Sequence, residues 1–151
     1  MQIALGSDHA GYSLKSVIVK YLEEQSHSVI DYGVQSEHSA DYPDLASKVC
    51  KAVISEECQF GILICGTGIG MSIAANKYDG IRAALCSEPY SARCAKEHNN
   101  ANIITLGSRV TGSGLALEIV KVFLDSNFQA GRHQTRLNKI REIERAQRKI
   151  D

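Results

Sequence analysis

The chain has 151 residues, 44% hydrophobic and 23% charged, with 17 basic side chains against 17 acidic ones. These are the proportions of an ordinary soluble globular protein of one domain, residues 1–151, and with no basic excess or aromatic platform they argue against a nucleic-acid partner. No apolar run approaches the roughly 18 residues of a membrane span, and the opening MQIALGSDHAG lacks the basic region of a signal peptide.

In chain order, residues 2–6 read as a first strand and Ser7 to Gly11 as a loop, with Ser7 or Asp8 as a helix cap. Leu14, Val17, Ile18, Tyr21 and Leu22 then fall at helical spacing and predict a helix over about 10–25. A short strand at 28–31 and a polar loop at 32–41 follow, and Pro43 suits the first turn of a second helix carrying Leu45, Val49, Ala52 and Val53. Phe60 and Ile62 to Cys65 form an apolar run that stops at Gly66-Thr67-Gly68-Ile69-Gly70, which predicts a strand buried on both faces and a sharp turn into a third helix. Residues 81–86 read as strand four, Glu88-Pro89 as the start of helix four running towards His98, and 102–107 as strand five. A fifth helix is expected from Thr111, with Leu115, Ile119, Val122 and Phe123 inward, and a last one from Gln134 or Thr135 with Leu137, Ile140 and Ile143. Strands alternating with helices at this spacing predict a parallel sheet covered on both faces, with ligands at the carboxyl ends of the strands. Residues 132–149 carry seven Lys or Arg (132, 136, 139, 141, 145, 148 and 149). They read as a solvated helix, an arm suited to a second subunit.

The glycine loop fits no common nucleotide motif. Met71 occupies the third glycine of G-x-G-x-x-G, although Glu88 stands about twenty residues on, where a ribose-binding acid would lie. The loop lacks the lysine of a phosphate-binding loop and the arginine of a thiol phosphatase. It is either a structural turn or an anion cradle of backbone N–H groups. Cys65 is either a small core residue or a reactive thiol. The other four cysteines read as core or surface residues, and an odd total of 5 with no C-x-x-C pair suits a reducing cytoplasm. His9 and His98 are expected at one sheet edge, where either could act as acid or base. Asp8 either orients a sugar hydroxyl or caps a helix. Arg132 and Arg136, four apart, either clamp a phosphate or form a surface pair.

Together these pieces resemble a known family. G-S-D-H-A-G at 6–11, D-Y-P at 41–43, C-G-T-G-I-G at 65–70, A-A-N-K at 74–77, R-A-A at 82–84, S-E-P-Y-S-A at 87–92, H-N at 98–99, G-S-R at 107–109 and G-R-H-x-x-R at 131–136 are similar, in order, to the type B ribose-5-phosphate isomerase family, which includes allose- and galactose-phosphate isomerases. The resemblance implies a Rossmann-like α/β/α sandwich with a C-terminal helical arm. It implies an aldose–ketose isomerisation of the non-oxidative pentose phosphate pathway, without metal or cofactor. The enzyme would be a homodimer or tetramer whose sites are shared between subunits. Cys65 would be the base and His98 the acid that opens the sugar ring. Asp8, His9, Gly66, Thr67, Gly68, Ile69, Gly70, Asn99, Arg109, Arg132 and Arg136 would bind substrate. Family members that lack the cysteine carry a glutamate where this chain has Met71, so the resemblance is to the cysteine branch. The nearest rival is an isomerase of a six-carbon sugar phosphate. A non-catalytic sugar-phosphate or nucleotide-binding protein is the rival from another class, and a dinucleotide oxidoreductase a distant third.

Overall fold

The computed structural model describes residues 1–147. Arg148 and Lys149 of the basic run, and the final residues of the expected arm, lie outside the described residues. Strands β1 (Gln2–Ser7), β2 (Ser28–Asp31), β3 (Phe60–Cys65), β4 (Ala83–Leu85) and β5 (Ile103–Gly107) form one sheet in the order β2-β1-β3-β5-β4. Every pairing is parallel. Strands of one direction need crossovers, and helices α1 (Tyr12–Glu24), α2 (Tyr42–Ile54), α3 (Ile69–Ala75), α4 (Pro89–Glu97) and α5 (Ser113–Asp125) supply them or follow the last strand, before α6 (Arg132–Gln147).

Alternation along β3 divides the core. Ile62 and Ile64 pack with Ile18 of α1, Ala92 of α4 and Phe123 of α5, while Leu63 and Cys65 pack with Val49 of α2 and Met71 of α3. Each of these large apolar side chains contributes about 1.5–3 kcal/mol by leaving water. The result is the expected Rossmann-like three-layer sandwich.

Four details depart from the sequence reading. On α1, Val17 is exposed and Lys15 is buried in its place. On α5, the buried stripe is Ala116, Ile119, Val120 and Phe123, and Leu115 is 39% exposed. The two possible stripes have the same helical spacing, and the small Ala116 lets α4 approach. Strand β4 is shorter than expected because the Arg82 N–H is taken by Asn102 Oδ1 at 2.8 Å. Helix α6 starts at Arg132, after Ala130 (φ 51°) and Gly131 (φ 53°) turn the chain through two left-handed residues.

The chain leaves β1 towards β2 on one side and returns to place β3 on the other. The loops after β1 and β3 therefore part at a switch point, where an open parallel sheet leaves a crevice.

Candidate active site

Cys65 ends the central strand at that crevice. It is 6% exposed, and the Gly68 N–H donates to its Sγ at 3.1 Å. Gly68 makes this possible with φ 79°, and a Cβ there would come within 2.6 Å of Leu85 Cδ1 and 2.9 Å of the Leu106 carbonyl carbon. Only glycine fits. Thr105 Oγ1 donates to the Gly68 carbonyl at 2.9 Å and fixes the loop from below. The Ile69 N–H donates to Thr67 Oγ1 at 3.4 Å. The Gly70 and Met71 N–H groups that follow open the helix, where intrahelical partners are lacking, and the ladder begins with the Ser72 N–H donating to the Gly68 carbonyl at 3.1 Å. A thiol thus faces a loop that presents backbone donors.

The other carboxyl-edge residues close around it. Asp8 is buried, and its Oδ1 accepts from the Gly11 N–H at 3.1 Å, capping a single 3-10 turn at His9–Gly11. The Ala40 N–H donates to His9 Nδ1 at 3.3 Å. The Arg109 guanidinium lies over Gly66, its Nη1 3.4 Å from where a Cβ would stand. Leu85, the last residue of β4, meets Gly68, so the carboxyl end of β4 abuts the glycine loop.

His98 does not join them. Helix α4 runs from the carboxyl end of β4 back to the start of β5, which leaves His98 and Asn99 at the opposite, amino edge of the sheet. Neighbouring contacts agree: Arg82 Nε, just before β4, donates to the Asn100 carbonyl at 2.8 Å, and Gly61 N–H, at the start of β3, donates to the Asn102 carbonyl at 2.9 Å. The expectation that His9 and His98 share one edge is therefore wrong within a chain. Histidines in successive loops of a parallel sheet meet only if both loops follow strands, and His98 follows a helix. Arg132 and Arg136 lie on the same side as His98, because His133 between them on α6 stacks on His98 and both charges act on the His133 ring.

Three residues escaped the sequence reading. Tyr42 opens α2 with its ring over Gly70, its Cζ 2.7 Å from where a Cβ would stand. Ser108 Oγ donates to the Ala10 carbonyl at 2.7 Å and also contacts the Cys65 carbonyl at 3.2 Å, tying two site loops together. Both lie inside motifs already noted, D-Y-P and G-S-R, but nothing in their spacing assigned a contact. The third is His133, which is 5% exposed and stacks on His98 with ring centroids 4.3 Å apart and planes 8° from parallel.

Burial first, then the neighbouring His98, Arg132 and Arg136, hold the His133 imidazole below the ordinary histidine range. The unfolded chain therefore takes up a proton at a pH where the folded ring does not. Its contribution to stability is present above about pH 6.5 and is lost as pH falls towards the depressed value. Thermal melts at about pH 7.5 and about pH 5.5 are expected to differ less for His133→Gln than for wild type. Equal differences would remove His133 from the acid response.

A thiol among backbone donors, at the switch point of an open parallel sheet, is a candidate site on a Rossmann-like α/β fold. Comparison with known proteins narrows the class. The family model described as Ribose/Galactose Isomerase matches residues 3–140, and the chain belongs to that family. Ribose-5-phosphate isomerase B of Escherichia coli (strain K12) is 51% identical over 143 residues, spanning 95% of this chain and 96% of its own. D-erythrulose-4-phosphate isomerase of Pectobacterium atrosepticum is 44% identical over 141 residues, spanning 93% of each chain. Among solved structures, Clostridium thermocellum ribose-5-phosphate isomerase B is 55% identical with a TM-score of 0.95, the match covering 97% of this chain and 99% of that one. Leishmania infantum type B ribose 5-phosphate isomerase is 44% identical with a TM-score of 0.93, covering 97% of each chain. Among the described residues, no helix is long and apolar enough to cross a membrane.

Proposed function

We propose that this chain interconverts D-ribose 5-phosphate and D-ribulose 5-phosphate through a cis-enediolate. The observation that carries the proposal is the Cys65 thiol at the switch point, facing the Gly66–Gly70 loop, in a chain with both a curated and a solved relative named ribose-5-phosphate isomerase B. Cys65 moves the proton between C1 and C2. Removing that proton builds charge on the carbonyl oxygen, and preorganised N–H donors of the loop stabilise it. Asp8 and His9 hold the sugar near its ring oxygen and hydroxyls. His98 serves as the acid that opens the ring, with Asn99 beside it. Arg109, Arg132 and Arg136 hold the phosphate, whose binding energy positions the reacting carbons.

The two clusters at opposite sheet edges support an assembly in which His98, Asn99, Arg132 and Arg136 of a second copy face Cys65. Exposed apolar side chains supply contact surface for it: Ile69 and Ile73 on α3, beside the thiol, and Ile140 and Ile143 on α6. We therefore propose a homodimer, alone or paired into a tetramer. Five free thiols suit a reducing cytoplasm.

The test is conversion of D-ribose 5-phosphate by the purified protein in excess EDTA. Product is expected, since no step of this route calls for a metal. The relative named for a four-carbon substrate keeps a second reading in play, in which the same chemistry acts on a sugar phosphate of another length. Faster turnover of allose 6-phosphate or another length than of ribose 5-phosphate would establish that reading.

A further inference from the structure

Lys15 is a buried charge that the proposed chemistry leaves unused. It is 2% exposed, and its Nζ donates to Asp31 Oδ2 at 2.7 Å and to the Val34 carbonyl at 2.6 Å. A lysine taken this far out of water is costly unless paired. What this pair holds is the segment 32–41, between β2 and α2. Asp31 Oδ1 accepts from the Gly33 N–H at 2.8 Å. The Tyr32 N–H donates to the Leu5 carbonyl at 2.8 Å, and the Val34 N–H to the Ser7 carbonyl at 3.1 Å. Gly33 passes so close over the pair that a Cβ on it would stand 2.8 Å from both Lys15 Cδ and Ser7 N. At its far end the same segment sends the Ala40 N–H to His9 Nδ1, and two residues later Tyr42 covers Gly70.

We infer that Lys15 and Asp31 are positioning residues that act on the site through this segment. The clamp sets the path of 32–41, and the Ala40 N–H then keeps the lone pair of neutral His9 on Nδ1. The ring proton is left on Nε2, which makes that nitrogen a donor to a substrate oxygen. The clamp lies on the β2 side of β1, and the segment it holds reaches the site at His9 and Tyr42. The inference rests on the sugar-phosphate isomerase reading for its substrate and on geometry alone for the tautomer.

The experiment uses the full chain with 15N-labelled histidine. Ring spectra are recorded at a pH high enough for His9 to be neutral, and kcat and KM are measured on ribose 5-phosphate. Wild-type His9 is expected as the Nε2–H tautomer alone. Lys15→Met is expected to show the mixed tautomers of a solvated ring and to lose about tenfold in kcat/KM, as misplaced contacts do. Lys15→Arg is expected to restore most of both. Asp31→Asn, at a side chain 30% exposed, carries the same readouts if Lys15→Met fails to fold. Gly33→Ala keeps both charges, lifts the segment, and is expected to mix the tautomers too. An unchanged tautomer in folded Asp31→Asn and Gly33→Ala overturns the inference, whatever the rates. A wild type inactive on every sugar phosphate would sink the isomerase reading, while the spectra would still decide the clamp.

Discussion

Replacing Cys65 by alanine is expected to lower kcat by about 10²- to 10⁴-fold, the range that a positioned acid or base contributes. Binding of a phosphate-bearing competitor should survive. The thiol is small, its neighbours Leu63 and Met71 are fully buried, and Gly68, which donates to it, stays held through its carbonyl by Thr105 Oγ1. The glycine loop keeps its own supports in Gly68, Thr105 and Ser108. The variant should therefore fold and hold ligand without turning it over. The measurement pairs steady-state kinetics with calorimetric titration of the competitor. Full activity in the variant would place the base elsewhere and remove the central assignment. Loss of binding and activity together would make Cys65 a structural residue.

The second large effect is restoration of activity by mixing two inactive proteins. Within one chain Cys65 and His98 stand at opposite edges of the sheet, so in the proposed dimer each site takes one residue from each copy. Cys65→Ala and His98→Asn should each be nearly inactive alone. Co-refolded in equal amounts, half the dimers would be mixed, and each mixed dimer would hold one intact site and one doubly defective one. Recovery of about a quarter of wild-type activity is expected if subunits exchange freely in a closed two-fold assembly. No recovery, with mixed dimers demonstrated by mass, would mean that both residues serve one chain's site or that His98 plays no part.

The central strand and its loop were legible because their chemistry is local. An unbroken apolar run can only be buried on both faces, and glycines directly after it can only turn. The parallel sheet followed from the alternation of elements, though the strand order did not. On α1 the inward Leu14, Ile18 and Leu22 were legible, but Val17 is exposed and Lys15 is buried, because a charged residue becomes a core residue only through partners 16 and 19 positions away. Helix α5 was misread at Leu115, where periodicity alone cannot choose between two equal stripes. The placement of His98 required knowing which end of its helix meets which end of the sheet. His133 lay in a motif already noted, but its stacking on His98 joins elements that the link before α6 separates in sequence. Local patterns thus located the thiol, while contacts made across the fold decided which residues keep it company.

The two left-handed residues before α6 bear on how such a protein can change over generations. Among the described residues a Cβ at Gly131 would meet open space, so the obstacle to substitution there is the backbone angle. Mutations at exposed positions of α6, such as Ile140 and Ile143, alter what the arm displays, whereas His133 and Leu137 are buried and help to seat it. A side chain at residue 131 would disfavour the left-handed angle at which the arm begins. The heading of the arm is thus set by its opening turn and its few buried side chains, and a lineage can diversify the exposed ones while keeping that heading.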